Sequence, residues 1–345
     1  MTRQYLEVQE KKNLAPYAAY SSESKGRFYA EDEDVLRTAY MRDRDRIIHS
    51  KAFRRLKHKT QVFIAPGSDH FRTRLTHTLE VSQIGRTIGR GLGLNEDLIE
   101  AIALAHDVGH TPFAHAGEEV LNRLIPGGFK HNHNSVRVLT KIERKSDNYP
   151  GLNLTKEVLD GVLHHSGFNK SKERAGTLEG QVIRLSDKIA YVQHDIDDAM
   201  RAGALSEKDL PKKAVELLGR THGDRIGASV YDAIEHSIEL LSKNEFVITP
   251  SAEYNEALIE LREFMFNNVY LGNVCQDERT KATLVIEYLY DYYFKNIDKL
   301  PEFYRKIAEE EGKEQGISDY ISGMSDNYCI STFKELTIPR SNINI

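Results

Sequence analysis

VIRLSDKIAYVQHDIDD, residues 182–198, is the stretch that decides the fold. On a helix each residue turns by about 100°, which sorts these side chains into two opposed stripes. Val182, Leu185, Ile189, Val192 and Ile196 form one stripe; Asp187, Tyr191, His194, Asp195 and Asp198 form the other, with Lys188 at its border. By composition alone this is an amphipathic surface helix with an acidic wet side. A tyrosine and a lysine beside spaced carboxylates also describe a wall for a metal, a sugar hydroxyl and a phosphate.

Working outward, the same period recurs. Leu75, Leu79, Ile84, Ile88 and Leu92 follow near-helical steps. Asn95 reads as an N-cap with Glu96 and Asp97 in the first turn, ahead of Leu98, Ile102 and Ala105, with Gly109 as the stop. Thr111-Pro112 predicts a restart, Thr as cap and Pro as first helical residue. Residues 178–200, 228–243, 252–270 and 278–296 read as further helices, while β-branched alternation is confined to short pieces such as EFVIT (245–249). The expectation is an all-α fold.

The 345 residues, 40% hydrophobic and 29% charged with 9 Pro, describe a globular chain with ample core, neither collagen-like nor largely disordered. No apolar run reaches a membrane span, and the first residues lack the apolar stretch of a signal peptide, which points to the cytoplasm and away from the membrane. Cys275 and Cys329 lack metal or redox spacing and read as core thiols. A net charge of −5 argues against a globally basic nucleic-acid binder. Locally, residues 41–60 hold eight Lys/Arg (Arg42, Arg44, Arg46, Lys51, Arg54, Arg55, Lys57, Lys59) against two Asp. That is either a solvated helix face with Asp–Arg pairs or a phosphate-facing wall.

Of the 14 histidines, nine lie between His70 and His165, several among helical apolar residues where an unpaired imidazole is costly. His77, the pair His106-Asp107 and the later Asp187 offer the mixed imidazole and carboxylate donors that suit a divalent ion: Mg²⁺, Mn²⁺, Fe²⁺, Co²⁺, Ni²⁺ or Zn²⁺. A lone His-Asp dipeptide is weak evidence, but here it ends an apolar helix just before a glycine, on a buried support. His115 and Glu118, three apart, share a helix face, the spacing of an imidazole oriented by a carboxylate.

At these residues the sequence resembles the HD-domain phosphohydrolases, and within them the deoxyguanosine triphosphate triphosphohydrolase (dGTPase-like, dNTPase) family. SKAFRRLKHKTQVF (50–63), RTRLTHTLEV (72–81), AHDVGHTPFAHAGE (105–118), FKHNHNSVR (129–137), GVLHHSG (161–167) and LSDKIAYVQHDIDD (185–198) are similar to its successive blocks, and SGMSDNY (322–328) has its look near the C-terminus. Thr111 and Ala114 replace the Pro and Gly common in the family's GHPPFGHAGE, and Asn134 stands where Gln is usual.

The resemblance implies an HD-domain helical bundle with a C-terminal helical extension. It divides into an N-terminal segment contributing to the nucleotide pocket (1–60), the metal-dependent core (61–227) and a C-terminal helical region (228–345). It implies His77, His106, Asp107 and Asp187 as metal ligands; His115, Glu118 and His131 as catalytic residues; and Arg74, Lys188 and His110 at the phosphates. Gln61, Tyr191 and Asp195 fall at the deoxyribose. Arg262 reads as a surface ion pair or a further phosphate contact. The implied reaction is hydrolysis of a deoxynucleoside triphosphate to deoxynucleoside and tripolyphosphate, by a homo-oligomer (tetramer or hexamer) with a possible dNTP effector or single-stranded DNA as partner. Two rival readings are another HD phosphohydrolase activity, such as a nucleoside monophosphate phosphatase, and a catalytically silent nucleotide sensor or nucleic-acid-associated protein.

Overall fold

The computed structural model describes residues 2–61, 70–167, 173–270 and 273–339. Among them are sixteen α-helices and no strand: α1 (Arg3–Asn13), α2 (Ala39–Ile48), α3 (Lys51–Arg55), α4 (Arg74–Gly91), α5 (Glu96–Ala105), α6 (Ala114–Leu124), α7 (His131–Arg137), α8 (Lys156–His164), α9 (Leu178–Arg201), α10 (Lys212–Leu218), α11 (His222–Ser242), α12 (Ala252–Met265), α13 (Asn273–Lys295), α14 (Glu302–Glu311), α15 (Lys313–Ser322) and α16 (Asp326–Thr337). The EFVIT segment forms no strand. The Gln181 side chain accepts the Ile248 N–H at 3.1 Å and the Ser237 hydroxyl takes the Thr249 N–H at 3.3 Å, so side chains satisfy a backbone that would otherwise need a ladder.

Helix α9 is not a surface helix. It packs against α4, α5, α8, α11 and α12, and the C-terminal part of its polar stripe is buried along with its apolar one: His194, Asp195 and Asp198 are each at most 2% exposed, while Asp187, Lys188 and Tyr191 are half-buried. Beside it, the buried face of α4 runs through His77, Thr78, Val81, Ile84, Gly85 and Ile88, and Leu79 lies 51% exposed. The five-residue step from Leu79 to Ile84 turns the predicted stripe away from the core. A Cβ on Gly89 would come within 2.1 Å of the Ile99 side chain, so the close approach of α4 and α5 requires glycine there.

The Asn95 cap forms as expected, its side-chain oxygen accepting the Asp97 and Leu98 N–H groups at 3.1 and 3.3 Å. The next start does not. Helix α6 begins at Ala114, two residues beyond the predicted Pro112, after Phe113 and Ala114 adopt left-handed φ of 60° and 53°. Thr111 caps nothing; its hydroxyl donates to the Ala114 carbonyl at 2.9 Å. Left-handed backbone costs a residue with a Cβ about 1–2 kcal/mol, so two in succession need outside support.

Apolar side chains form two cores. The larger joins the N-terminal segment from Ala18 to Leu56 with α4, α5, α8, α9 and the helices to Val269; the smaller packs α6, from Phe113 to Val120, on α13, α15 and α16. Cys329 is buried in the smaller core as a free thiol; the Cys275 side chain lies outside the described residues. The basic run 41–60 divides its charges. Arg44 pairs with Asp97 at 2.8 Å and Arg46 with Glu31 at 2.7 Å, and Lys59 is buried. Arg42, Lys51, Arg54 and Arg55 line a cleft of about 680 Å³ with Arg144 and Lys145.

Candidate metal and phosphate site

Four elements converge on one buried point. Helix α4 supplies His77, the end of α5 supplies His106 and Asp107, α8 ends at His165, and α9 supplies Asp187. The candidate donor atoms of His77, His106 and Asp107 all lie within 4.8 Å of one another, as do those of His106, His165 and Asp187. His77 Nε2 is 3.1 Å from Asp187 Oδ1 and 4.0 Å from Asp107 Oδ2, and His106 Nε2 is 3.5 Å from Asp107 Oδ1 and 3.9 Å from Asp187 Oδ1. Atoms that share one ion at about 2.0–2.2 Å sit at such separations.

The donor chemistry fits a cation. His106 Nδ1 is 2.6 Å from the Ala103 carbonyl, which can only accept, so Nδ1 carries the proton and Nε2 presents its lone pair. That Nε2 is buried and without a partner, an arrangement costly in a dry interior unless something binds it. His165 repeats the pattern: Nδ1 lies 2.7 Å from the Val162 carbonyl, and Nε2 is buried and unpartnered, 3.8 Å from Asp107 Oδ1. Burial, with His106 and His131 nearby, pushes the His165 imidazole down to about 3. Burial would raise the Asp107 carboxyl, but His106, His110 and Arg74 outweigh it and hold the group well below the usual range.

Around this point lie the other predicted residues. Arg74 Nη1 donates to Asp107 Oδ2 at 2.6 Å and leaves its Nε buried and unpartnered. His110 Nε2 is 3.2 Å from Asp107 Oδ1, its ring stacked on His131 with centroids 4.0 Å apart; burial, then Arg74, lower it well below the ordinary imidazole value. Gln61 is buried with Oε1 unpartnered among the described residues. Lys188 Nζ donates to Asn255 Oδ1 at 2.6 Å, and burial together with Arg262 and Arg184 brings it down to about 8.

Glu118 binds His131 more closely than His115. It accepts the His131 backbone N–H and lies against His131 Nδ1, both at 2.9 Å, whereas His115 Nδ1 is 3.7 Å away. Burial works against its ionisation, yet His115 and His131 hold the Glu118 carboxyl far below its ordinary value. The His115 side chain is 59% exposed and faces both Tyr191 and His110, each ring centroid 6.2 Å away.

Further along α9, Asp195 is fully buried, with Oδ1 unpartnered and Oδ2 accepting the Tyr270 hydroxyl. Tyr270 lies 6.0 Å from the Tyr191 ring, so the two aromatics flank the carboxylate. Tyr270 and His165 escaped the sequence reading: neither belongs to a periodic stripe, and His165 is marked only by its place in GVLHHSG. His194 sits edge-on beside His77, with ring centroids 5.8 Å apart, but belongs to none of the donor groups; its Nδ1 is 3.1 Å from Glu80 and its ring is stacked on His222 at 5.5 Å.

Burial raises the Asp195 carboxyl from 3.8 to about 7. Between those values the folded protein keeps a proton that the unfolded chain has lost, so stability falls as pH rises through the window and stays low above it. Asp195→Asn, neutral throughout and still able to accept from Tyr270, is expected to raise Tm. The gain at pH 8 exceeds that at pH 5 by on the order of 2 kcal/mol. Thermal melts at the two pH values check it, and a pH-independent difference would contradict it.

Comparison with known proteins agrees in extent with the whole chain. The HD domain family matches residues 74–192 and the phosphohydrolase-associated domain residues 248–335. A deoxyguanosinetriphosphate triphosphohydrolase-like protein of Clostridium tetani is 57% identical, over 98% of this chain and 97% of its own. Like-named proteins of Clostridium perfringens and Caldanaerobacter subterraneus are 55% and 52% identical, over 98% of this chain and 98% and 96% of theirs. The solved structure of a hypothetical protein from Aquifex aeolicus aligns with 87% of this chain and 68% of its own at 19% identity, with a TM-score of 0.47.

Proposed function

This chain belongs to the HD-domain family of deoxyguanosinetriphosphate triphosphohydrolase-like proteins and is a phosphohydrolase; on that premise we propose that it hydrolyses deoxynucleoside triphosphates to deoxynucleoside and inorganic tripolyphosphate. His77, His106, Asp107 and Asp187 are the ligands of a divalent ion. When bound, that ion supplies positive charge to the phosphoryl oxygens and lowers the pKa of water. Arg74, Lys188 and Arg262 neutralise phosphate charge, Arg74 from a guanidinium already fixed on Asp107.

One observation carries the choice of substrate: on successive turns of α9, Asp187 belongs to the donor cluster, Tyr191 to an aromatic wall and Asp195 to a buried acceptor. A triphosphate at the first and a deoxyribose at the last puts the 3′ hydroxyl on Asp195. The 2′ carbon then lies against Tyr191, where a ribose hydroxyl would be buried without a partner. His115 stands between the phosphate and sugar ends, in place to protonate the departing 5′ oxygen. Water adds its hydroxyl to Pα, the Pα–O5′ bond breaks, and the proton leaves on O5′. A role as nucleophile would use the same position.

Mass spectrometry of dGTP, the other dNTPs and GTP incubated with Mn²⁺ tests this. Deoxynucleoside plus tripolyphosphate, with GTP inert, is expected. Deoxynucleoside monophosphate plus pyrophosphate overturns the site of cleavage, and orthophosphate released only from monophosphates favours the phosphatase.

The basic cleft favours an additional anionic partner, a dNTP effector or single-stranded DNA. Arg54→Glu combined with Arg144→Glu is expected to remove activation by a second dNTP, or salt-dependent DNA binding, at unchanged metal content. Retention of both would exclude the cleft as their site.

A further inference from the structure

The strained turn before His115 is held from the far end of the chain. Asp326, the first residue of α16, is buried, and its carboxylate accepts two backbone N–H groups from separate segments. Oδ1 takes Phe113 at 3.0 Å and Oδ2 takes Thr60 at 2.9 Å. A parallel tie runs beside it. Lys59 Nζ donates to the carbonyl of His110 and, at 2.8 Å, to that of Ser322. Asn134 Nδ2 bridges the Gly109 carbonyl at 2.7 Å and the Ser322 hydroxyl at 3.2 Å. The turn from Gly109 to Phe113 is thus gripped at both ends by the Ser322–Asp326 corner. Gly109 has no room for a side chain, since a Cβ there would lie 2.1 Å from the Ser135 nitrogen.

We infer that Asp326 is a positioning residue: by fixing Phe113 in left-handed backbone it sets where α6 begins, and so holds His115 over the phosphate site. This rests on the reading of His115 as the group that meets the substrate. The left-handed pair is what makes outside support necessary, and Asp326 is the side chain that binds the N–H at its centre. Asparagine in its place accepts from one segment only and turns an N–H₂ towards the donor of the other.

Asp326→Asn is therefore expected to lower kcat about 10- to 100-fold, the loss that follows from a displacement of about 1 Å, with KM and manganese content nearly unchanged. Amide hydrogen exchange should rise in the 109–117 peptide and not in 178–187. Adding Ala114→Gly, whose backbone takes positive φ without a clashing Cβ, should restore part of kcat. A purely structural role predicts instead that activity follows the folded fraction and that Ala114→Gly rescues nothing; either result overturns the inference, as does unchanged exchange at 109–117. If Asp326→Asn does not fold, Lys59→Met, which cuts the parallel tie, is put through the same measurements. A wild-type protein inert towards every dNTP would defeat the proposed reaction, and the exchange comparison would still decide whether Asp326 clamps the turn.

Discussion

His106→Ala is expected to abolish retention of the divalent ion and to reduce turnover by on the order of 10³-fold or more. His106 is held by the Ala103 carbonyl with Nε2 aimed at Asp107 and Asp187, so the imidazole is oriented before any ion arrives. Its removal takes away one of the four proposed ligands and leaves two carboxylates without the neutral donor beside them. Metal content by elemental analysis and turnover under saturating Mn²⁺ check the prediction, and circular dichroism establishes that the variant is folded. Full activity, or a full complement of ion, would defeat the assignment of the site.

His115→Ala is expected to lose about 10²- to 10⁴-fold in kcat, the range for removal of a positioned acid or base, while keeping the ion. The contrast with His106 is the informative part. His115 is 59% exposed and is not among the grouped metal donors, so its removal costs little stability and leaves the ligand cluster intact. Glu118→Gln should have a milder effect on rate, because Glu118 chiefly secures His131 through its backbone and ring nitrogens. A His115→Ala protein that turns over normally would remove this residue from the chemistry and leave the ion site standing.

The all-α fold was legible because helical periodicity and caps are local signals: the Asn95 cap and the full length of α9 follow from residues a few positions apart. What those signals could not supply is which face of a helix is covered. The polar stripe of α9 reads as wet until α4, α11 and α12 are packed on it, which requires knowledge of residues far away in sequence. Leu79 is the converse case, an apolar residue left outside because a five-residue step breaks the stripe. The clustering of histidines and carboxylates offers His77, His106, Asp107 and Asp187 as candidate donors, and the resemblance makes them one ligand set; periodicity alone places only Asp187, and only on a face. Tyr270 and His165 were missed for the same reason in reverse, as single residues delivered to the site by a helix end or a connecting turn. The delayed start of α6 was hidden because its cause, Asp326, lies more than two hundred residues downstream.

The division into two cores has a consequence for how the rate is set. The residues proposed as the ion's ligands ride on α4, α5 and α9 in the larger core, whereas His115 rides on α6, which is packed in the smaller one. The gap between them is an interface dimension rather than a property of any single helix. Sequence drift along that seam can retune catalysis by degrees, with every residue that touches the substrate left as it was.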